Sequence, residues 1–150
     1  MRAVLQRVSE CSVKIDNKTT ASIGRGFMLL LGVCDGDGEQ DAVKLAKKIS
    51  GLRIFTDEND KMNLSLSDVG GSVVVVSNFT LYASCAHGRR PSFIKAARPE
   101  VSEPLYEFFC KKLRENGVED VLTGEFGADM SVSLVNDGPV TLVIDSEELK

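Results

Sequence analysis

A single histidine, His87, and the absence of paired cysteines restrict the metal and redox chemistry open to this chain. The four cysteines, at positions 11, 34, 85 and 110, form no CxxC pair, so neither a zinc knuckle nor a redox motif is expected. A Walker loop, a GxSxG nucleophile elbow and an HExxH zinc motif are absent as well. We therefore expect no metal and no cofactor.

Long apolar runs are also absent: no stretch approaches the roughly 20 apolar residues that a membrane-spanning helix needs. The first residues, MRAVLQR, carry charge but are not followed by the hydrophobic region of a secretory signal. These absences predict a soluble, cytoplasmic protein without membrane contact. The 150 residues, 43% of them hydrophobic, are enough for a single domain over residues 1–150 with its own core.

A general excess of positive charge is missing too, since the net charge is -4. This excludes a protein that holds nucleic acid chiefly through a broad basic field. Any RNA contact must be local. One stretch near Arg89, Arg90, Lys95 and Arg98 carries cations and no acid, and it is either an RNA contact or a solvated loop.

Hydrophobic patterning predicts several strands and two main helices. We expect two strands at residues 2–8 and 12–15, a buried strand at 26–33, a short strand at 52–55 and a central strand at 73–76, where four valines follow one another. Residues 130–135 and 140–144 alternate around the turn-forming sequence NDGP, which predicts a β-hairpin.

The first helix is expected to be capped by Asp37 and to end at Gly51. The second is expected to begin at residues 102–104 and to end at residues 116–117, with an apolar stripe of Leu105, Phe108, Phe109 and Leu113. The fold class is therefore α/β: a compact single domain with strand-rich mixed β-sheets.

Polar residues at the end of the valine strand are the first candidate site. Ser77, Asn78 and Thr80 surround the aromatic Phe79, a set that could stack an adenine and form an oxyanion hole. The alternative is that these side chains only satisfy the backbone of a turn. A Cys/His hydrolase built on Cys85 and His87 is a second alternative, although no third group is placed to orient the histidine.

Five ordered segments together resemble the D-aminoacyl-tRNA deacylase family over essentially the whole chain. No single segment is specific, but their order and spacing are. They are residues 1–8 (MRAVLQRV), 77–81 (SNFTL), 88–93 (GRRPSF), 126–130 (FGADM) and 136–141 (NDGPVT).

The resemblance implies a homodimer that hydrolyses D-aminoacyl-tRNA, and also glycyl-tRNA, as chiral proofreading in translation. It implies that the Gly138-Pro139 bond is cis and enters the active site of the partner subunit, where two carbonyls would accept hydrogen bonds from the substrate α-ammonium group. The family likeness assigns Met130 to the same selection, and it assigns tRNA contact to Arg7, Arg89, Arg90 and Lys95.

Ser77, Asn78, Phe79 and Thr80 are, by the same resemblance, the catalytic segment that holds the terminal adenosine and the ester carbonyl. The family usually has glutamine at the position of Asn78, so the reach of this amide is shorter. Nothing in the sequence supplies Thr80 with a base, which favours attack by water. The resemblance implies that the neighbouring ribose 2′-OH of the tRNA assists this attack. Two alternatives remain open: a non-catalytic tRNA 3′-end binding module, and a relative that edits an L-amino acid with a trans Gly-Pro bond.

Overall fold

One long strand, β1 (Arg2–Ile15), organises the computed structural model, which describes all 150 residues. Along one edge β1 pairs antiparallel first with β3 (Gly26–Gly32) and then with β2 (Lys18–Ile23). Along its other edge it pairs with β8 (Ser131–Asp145) from Arg2 to Lys14. This 14-residue strand thus lies between β3 and the C-terminal strand β8 in the sheet.

Two parallel strands, β6 (Ser72–Ser77) and β7 (Asp120–Thr123), extend the sheet beyond β3. Their contacts with β2 curl the sheet so that its far strands meet. Side chains of β6 alternate between two cores: Val73 and Val75 pack beneath the helices, and Val74 and Val76 pack inside the curl. Burial on both faces explains the unbroken valine run. The mixed α/β class with two main helices is confirmed.

Helix α1 (Glu39–Ser50) ends at Gly51 as predicted, but its cap was assigned one residue too early. Gly38 is the N-cap residue, and its N–H donates to Asp41 at 2.9 Å. The Asp37 carboxylate accepts instead from the Cys34 N–H at 2.6 Å and from the Met1 ammonium group at 2.7 Å. Asp37 therefore joins the N-terminus to the turn after β3 rather than capping the helix.

Helix α2 (Pro99–Glu115) begins three residues before the predicted start at residue 102. Pro99 occupies the first turn, where the fixed φ of proline suits a helix start, so the later Pro104 lies inside the helix. The stripe is confirmed with Leu105, Phe109 and Leu113 buried, whereas Phe108 is only partly buried. Neither helix is long and apolar enough to cross a membrane.

Three strand predictions were wrong in detail. The two strands expected before residue 16 are one, because a register shift against β8 absorbs the polar Ser9-Glu10 step. The strand expected at 52–55 is β4 (Phe55–Thr56), which pairs with β5 (Met62–Leu64). Irregular backbone at 52–54 precedes it. The strands β2, β5 and β7 were not predicted.

The predicted C-terminal hairpin is also wrong, since its two halves pair with β1 and not with each other. Thr141 lies opposite Gln6 and Asn136 lies opposite Val8, so β8 advances five residues while β1 advances two. The three extra residues bulge from the sheet. Local alternation around NDGP fits a hairpin, but β1 is long enough to pair with both halves.

A glycine with no room for a side chain holds β3 against β6. A Cβ on Gly26 would lie 1.7 Å from the Ser72 carbonyl oxygen. We expect Gly26→Ala to lower the free energy of unfolding by about 3 kcal/mol through forced separation of the strands. Gly24→Ala is the matched control, because its Cβ would meet only the Ser9 oxygen at 3.9 Å. Urea denaturation of both variants measures the difference, and equal stability would contradict this packing.

Candidate active site

A cavity of about 710 Å³ opens at the carboxyl end of β6. Ser77, Asn78 and Phe79 form one wall, Phe93 lies at its side, and the segment from Phe126 to Met130 forms another wall. Both the volume and the mainly apolar lining are in the range of small-ligand sites. The structure therefore brings the two predicted segments 77–79 and 126–130 to one cavity. Thr80 does not line it.

Asn78 caps the short 3₁₀ helix Phe79–Tyr82. Its side-chain oxygen accepts from the Thr80 N–H at 3.1 Å and also from the Thr80 hydroxyl. The amide oxygen is thus used within the protein, while the amide NH₂ makes no hydrogen bond in the chain. The Phe79 N–H, the first of the 3₁₀ helix, likewise has no acceptor. Two donors are therefore free beside the cavity.

On the opposite wall, the Met130 side chain packs against Gly124. A Cβ on Gly124 would come within 2.3 Å of the Met130 sulfur, so the thioether occupies space that any side chain at position 124 would fill. Phe126 contacts the Tyr106 ring at a centroid distance of 6.1 Å, and the Tyr106 hydroxyl donates to the Val75 oxygen at 2.8 Å. The wall is therefore anchored to β6 itself.

The bulge of β8 is a built loop, held at its base by two side chains. Asn136 donates from its amide to the Arg7 oxygen at 2.9 Å and the Val140 oxygen at 3.0 Å. Arg7 donates from Nε to the Asp137 oxygen at 2.9 Å and from Nη1 to the Ile54 oxygen at 2.6 Å. These bonds fix both ends of the loop relative to β1.

The assignment of Arg7 to tRNA contact does not fit its position. Arg7 is only 8% exposed, and its guanidinium is occupied by the carbonyls of Asp137 and Ile54. Its place in the structure makes it a positioning residue for the loop. The sequence could not show this, because Arg7 lies within a register shift between β1 and β8 that depends on their pairing.

Gly138 and Pro139 are exposed at the tip of this loop, and the bond between them is cis. A Cβ on Gly138 would lie 2.0 Å from the Val140 nitrogen, so only glycine fits this path of the backbone. Neither residue lines the cavity of its own chain. Within one chain, therefore, the structure does not bring the loop and the cavity together.

Arg89 and Arg90 lie in an exposed loop that begins and ends at a backbone bridge. Ser84 and Ser92 exchange hydrogen bonds of 2.8 and 2.9 Å and close the loop. Arg89, Arg90 and Lys95 are exposed and make no ion pair, so their charges are free for an anionic partner.

Comparison with known proteins identifies the family of this chain. A family model described as D-Tyr-tRNA(Tyr) deacylase matches residues 4–145. This chain belongs to that family. A D-aminoacyl-tRNA deacylase of Chloroflexus aurantiacus is 56% identical over all of this chain and 93% of the relative. One of Thermus aquaticus is 56% identical over 99% of this chain and 97% of the relative.

A solved structure of similar length has the same fold. The c-Myc DNA Unwinding Element Binding Protein superposes with a TM-score of 0.91 at 37% identity, covering 97% of this chain and 98% of that chain. The family likeness predicted from five short segments is confirmed by the family match over residues 4–145 and by the deacylase relatives.

Sequence reasoning assigned no role to several residues of the cavity and the loop. Phe93 and Phe126 were quoted only as parts of motifs, yet both line the cavity. Asn136, at the start of a motif, is the amide that closes the loop. An aromatic in a polar segment was the available signal for Phe93, while nothing in the sequence indicated which backbone groups Asn136 would join.

Cys85 and His87 do not form a catalytic pair in this structure. Both lie in the exposed loop, and the His87 side chain makes no hydrogen bond. Burial raises the pKa of the Cys11 thiol and raises that of Cys110 to about 12. The most reactive thiol is therefore expected to be Cys85 on exposure alone.

We expect Ellman's reagent to modify one thiol rapidly in the native protein and the others only on unfolding. Cys85→Ser removes the rapid phase and leaves deacylation unchanged, because no reacting group depends on Cys85. Cys34→Ser is the matched control and keeps the rapid phase. Loss of deacylation in the Cys85 variant would instead support the Cys/His hydrolase.

Proposed function

We propose that this chain hydrolyses the ester of D-aminoacyl-tRNA and releases the free D-amino acid and tRNA, as chiral proofreading in translation. The observation that carries the proposal is family membership over residues 4–145, with relatives of matching length that are named D-aminoacyl-tRNA deacylase. The cavity beside Phe79 supplies a place for the chemistry. A non-catalytic 3′-end binding module is not favoured, because the family and the full-length relatives are named deacylases.

The terminal adenosine of the tRNA occupies the cavity between the Ser77–Phe79 wall and the Phe126–Met130 wall. The ester carbonyl points to the Phe79 N–H, which has no acceptor in the chain. A fixed donor at this position stabilises the negative charge that develops on the carbonyl oxygen during attack. Asn78 lines the same cavity, and we assign its free NH₂ as a second donor.

Water is the nucleophile in this proposal. The Thr80 hydroxyl donates to the Asn78 amide oxygen, which is not a base, and Thr80 lies outside the cavity. An unassisted hydroxyl is a weak nucleophile. The ribose 2′-OH beside the ester therefore assists the water, and the protein contributes position and hydrogen-bond donors.

Chiral selection comes from the loop of a partner subunit in a homodimer. The exposed Gly138-Pro139 tip cannot act on its own cavity, which it does not line. Inserted into a partner's cavity, its two carbonyls accept from the α-ammonium of a D-aminoacyl group, while an L side chain collides with the backbone. Glycine has no side chain to collide, so glycyl-tRNA is also accepted. Met130 borders the same space.

Arg89, Arg90 and Lys95 contact the tRNA phosphates near the cavity mouth. Their charges are exposed and unpaired, whereas the chain as a whole has a net charge of -4. Such a local contact gives a weak dependence of binding on salt. We place the protein in the cytoplasm, where aminoacyl-tRNA is made, as one domain over residues 1–150.

The proposed activity is tested with matched D-tyrosyl-tRNA and L-tyrosyl-tRNA by following ester loss on acid gels. We expect the D ester to be cleaved at least about 100-fold faster, which corresponds to a steric cost of about 3 kcal/mol. Thr80→Ala should retain most of the wild-type rate. Equal cleavage of both esters contradicts chiral selection, protection of both supports the binding module, and a trapped acyl-Thr80 contradicts attack by water.

The partner's loop is tested with a dimer that combines two different inactive subunits. Gly138→Ala damages the loop, because its Cβ would collide with the Val140 nitrogen, and Ala128→Trp fills the cavity wall. A heterodimer isolated through two affinity tags should recover about half of wild-type activity, since one composite site is intact. Each homodimer should be inactive. An inactive heterodimer means that the loop serves its own chain.

A further inference from the structure

Three large apolar side chains lie exposed together beside the mouth of the cavity. Phe79 is 56% exposed, Phe93 is 39% exposed and Ile94 is 89% exposed. The two rings meet edge to face, with centroids 5.1 Å apart and planes at 72°. We call Phe79, Phe93 and Ile94 the aromatic step. Apolar side chains exposed as a contiguous group mark a binding surface more often than scattered ones do.

The loop closed by Ser84 and Ser92, which carries Arg89 and Arg90, is followed directly by two residues of the aromatic step. Its closing residue, Ser92, precedes Phe93, and Arg89 and Arg90 precede Ser92. The backbone around Phe93 is fixed because the Ala96 N–H donates to the Phe93 oxygen at 3.0 Å. No acidic residue occurs in the sequence from 83 to 98. The step is thus a firmly held apolar surface in a locally cationic setting.

Aromatic faces beside cations are the arrangement that proteins use to hold single-stranded RNA, with a base stacked on the ring and phosphates near the cations. In the function proposed above, the terminal adenosine fills the cavity, so the nucleotide on its 5′ side must leave through the mouth. Phe79 and Phe93 line the cavity, whereas Ile94 does not. The step therefore extends outward from the edge of the cavity, where we place the nucleotide on the 5′ side of the adenosine.

We propose that the aromatic step binds the base of the nucleotide immediately 5′ of the terminal adenosine. Phe93 and Ile94 supply the apolar surface for that base, and Arg89 or Arg90 meets its phosphate. This inference rests on the proposed function, since it assumes that an aminoacylated adenosine occupies the cavity. It adds a second nucleotide subsite, which makes the recognised ligand a dinucleotide end and not adenosine alone.

Two small substrates test this subsite: D-tyrosine esterified to adenosine, and D-tyrosine esterified to the 3′ end of the dinucleotide CpA. We expect wild-type kcat/KM to be about tenfold higher for the CpA ester, because one stacked base contributes on the order of a tenfold gain or more. Phe93→Leu and Ile94→Ser should bring this ratio close to one, and Phe93→Trp should preserve it. The ratio cancels any loss of rate that is common to both substrates.

A third ester, on a dinucleotide whose 5′ nucleoside lacks its base, separates stacking from phosphate contact. For the wild type, kcat/KM of this ester should be close to that of the adenosine ester. Phe93→Leu should leave the ratio of these two values unchanged. A wild-type ratio near one overturns the inference, as does a Phe93→Leu variant with an unchanged ratio. Dissociation of Phe93→Leu dimers in sedimentation also overturns it, because the step would then belong to the interface between copies.

The same assay distinguishes failure of the proposed function from failure of the subsite. If wild-type protein cleaves none of the D-tyrosyl esters or D-tyrosyl-tRNA, the activity itself is contradicted. If it cleaves the adenosine and CpA esters equally well, the activity holds and only the second subsite is overturned.

Discussion

The pairing of β8 with β1 on both sides of a bulge is the constraint on which the rest of this structure depends. Because both flanks of the bulge are fixed in register, the extra residues can only project from the sheet. Asn136 and Arg7 then bond the base of the projection to neighbouring carbonyls. Backbone groups in such a loop keep a fixed direction without any metal or disulfide to hold them.

The same sheet separates the two halves of the proposed site. The cavity opens where β6 ends, and its walls are anchored to that strand through Tyr106. The loop projects from β1 and β8 and does not reach it. This separation gives a physical reason for a symmetric dimer, since two copies of one chain supply two complementary pairs of cavity and loop. In the proposed function, a backbone filter of this kind lets one site accept many D side chains.

Charge in this protein is local, and so is the expected recognition of RNA. A chain with net charge -4 has no general field to hold a large RNA, but its unpaired cations collect next to the exposed rings of Phe79 and Phe93. This arrangement fits the proposed recognition of an RNA end. Contacts to a flexible single strand need only a few cations and an aromatic surface.

The sequence by itself determined the α/β class, both helices, the central valine strand and the family, because these follow from local periodicity and from motifs in order. It also pointed to Ser77, Asn78 and Phe79, because polar residues around an aromatic at the end of a predicted strand can be recognised from the sequence. Only the tertiary structure decided that residues 131–145 pair with β1 and form no hairpin, that Arg7 is buried beneath the loop, and that Asn78 caps a 3₁₀ helix. The reason is that register and burial depend on which distant segment supplies the partner, and local sequence carries no record of that choice.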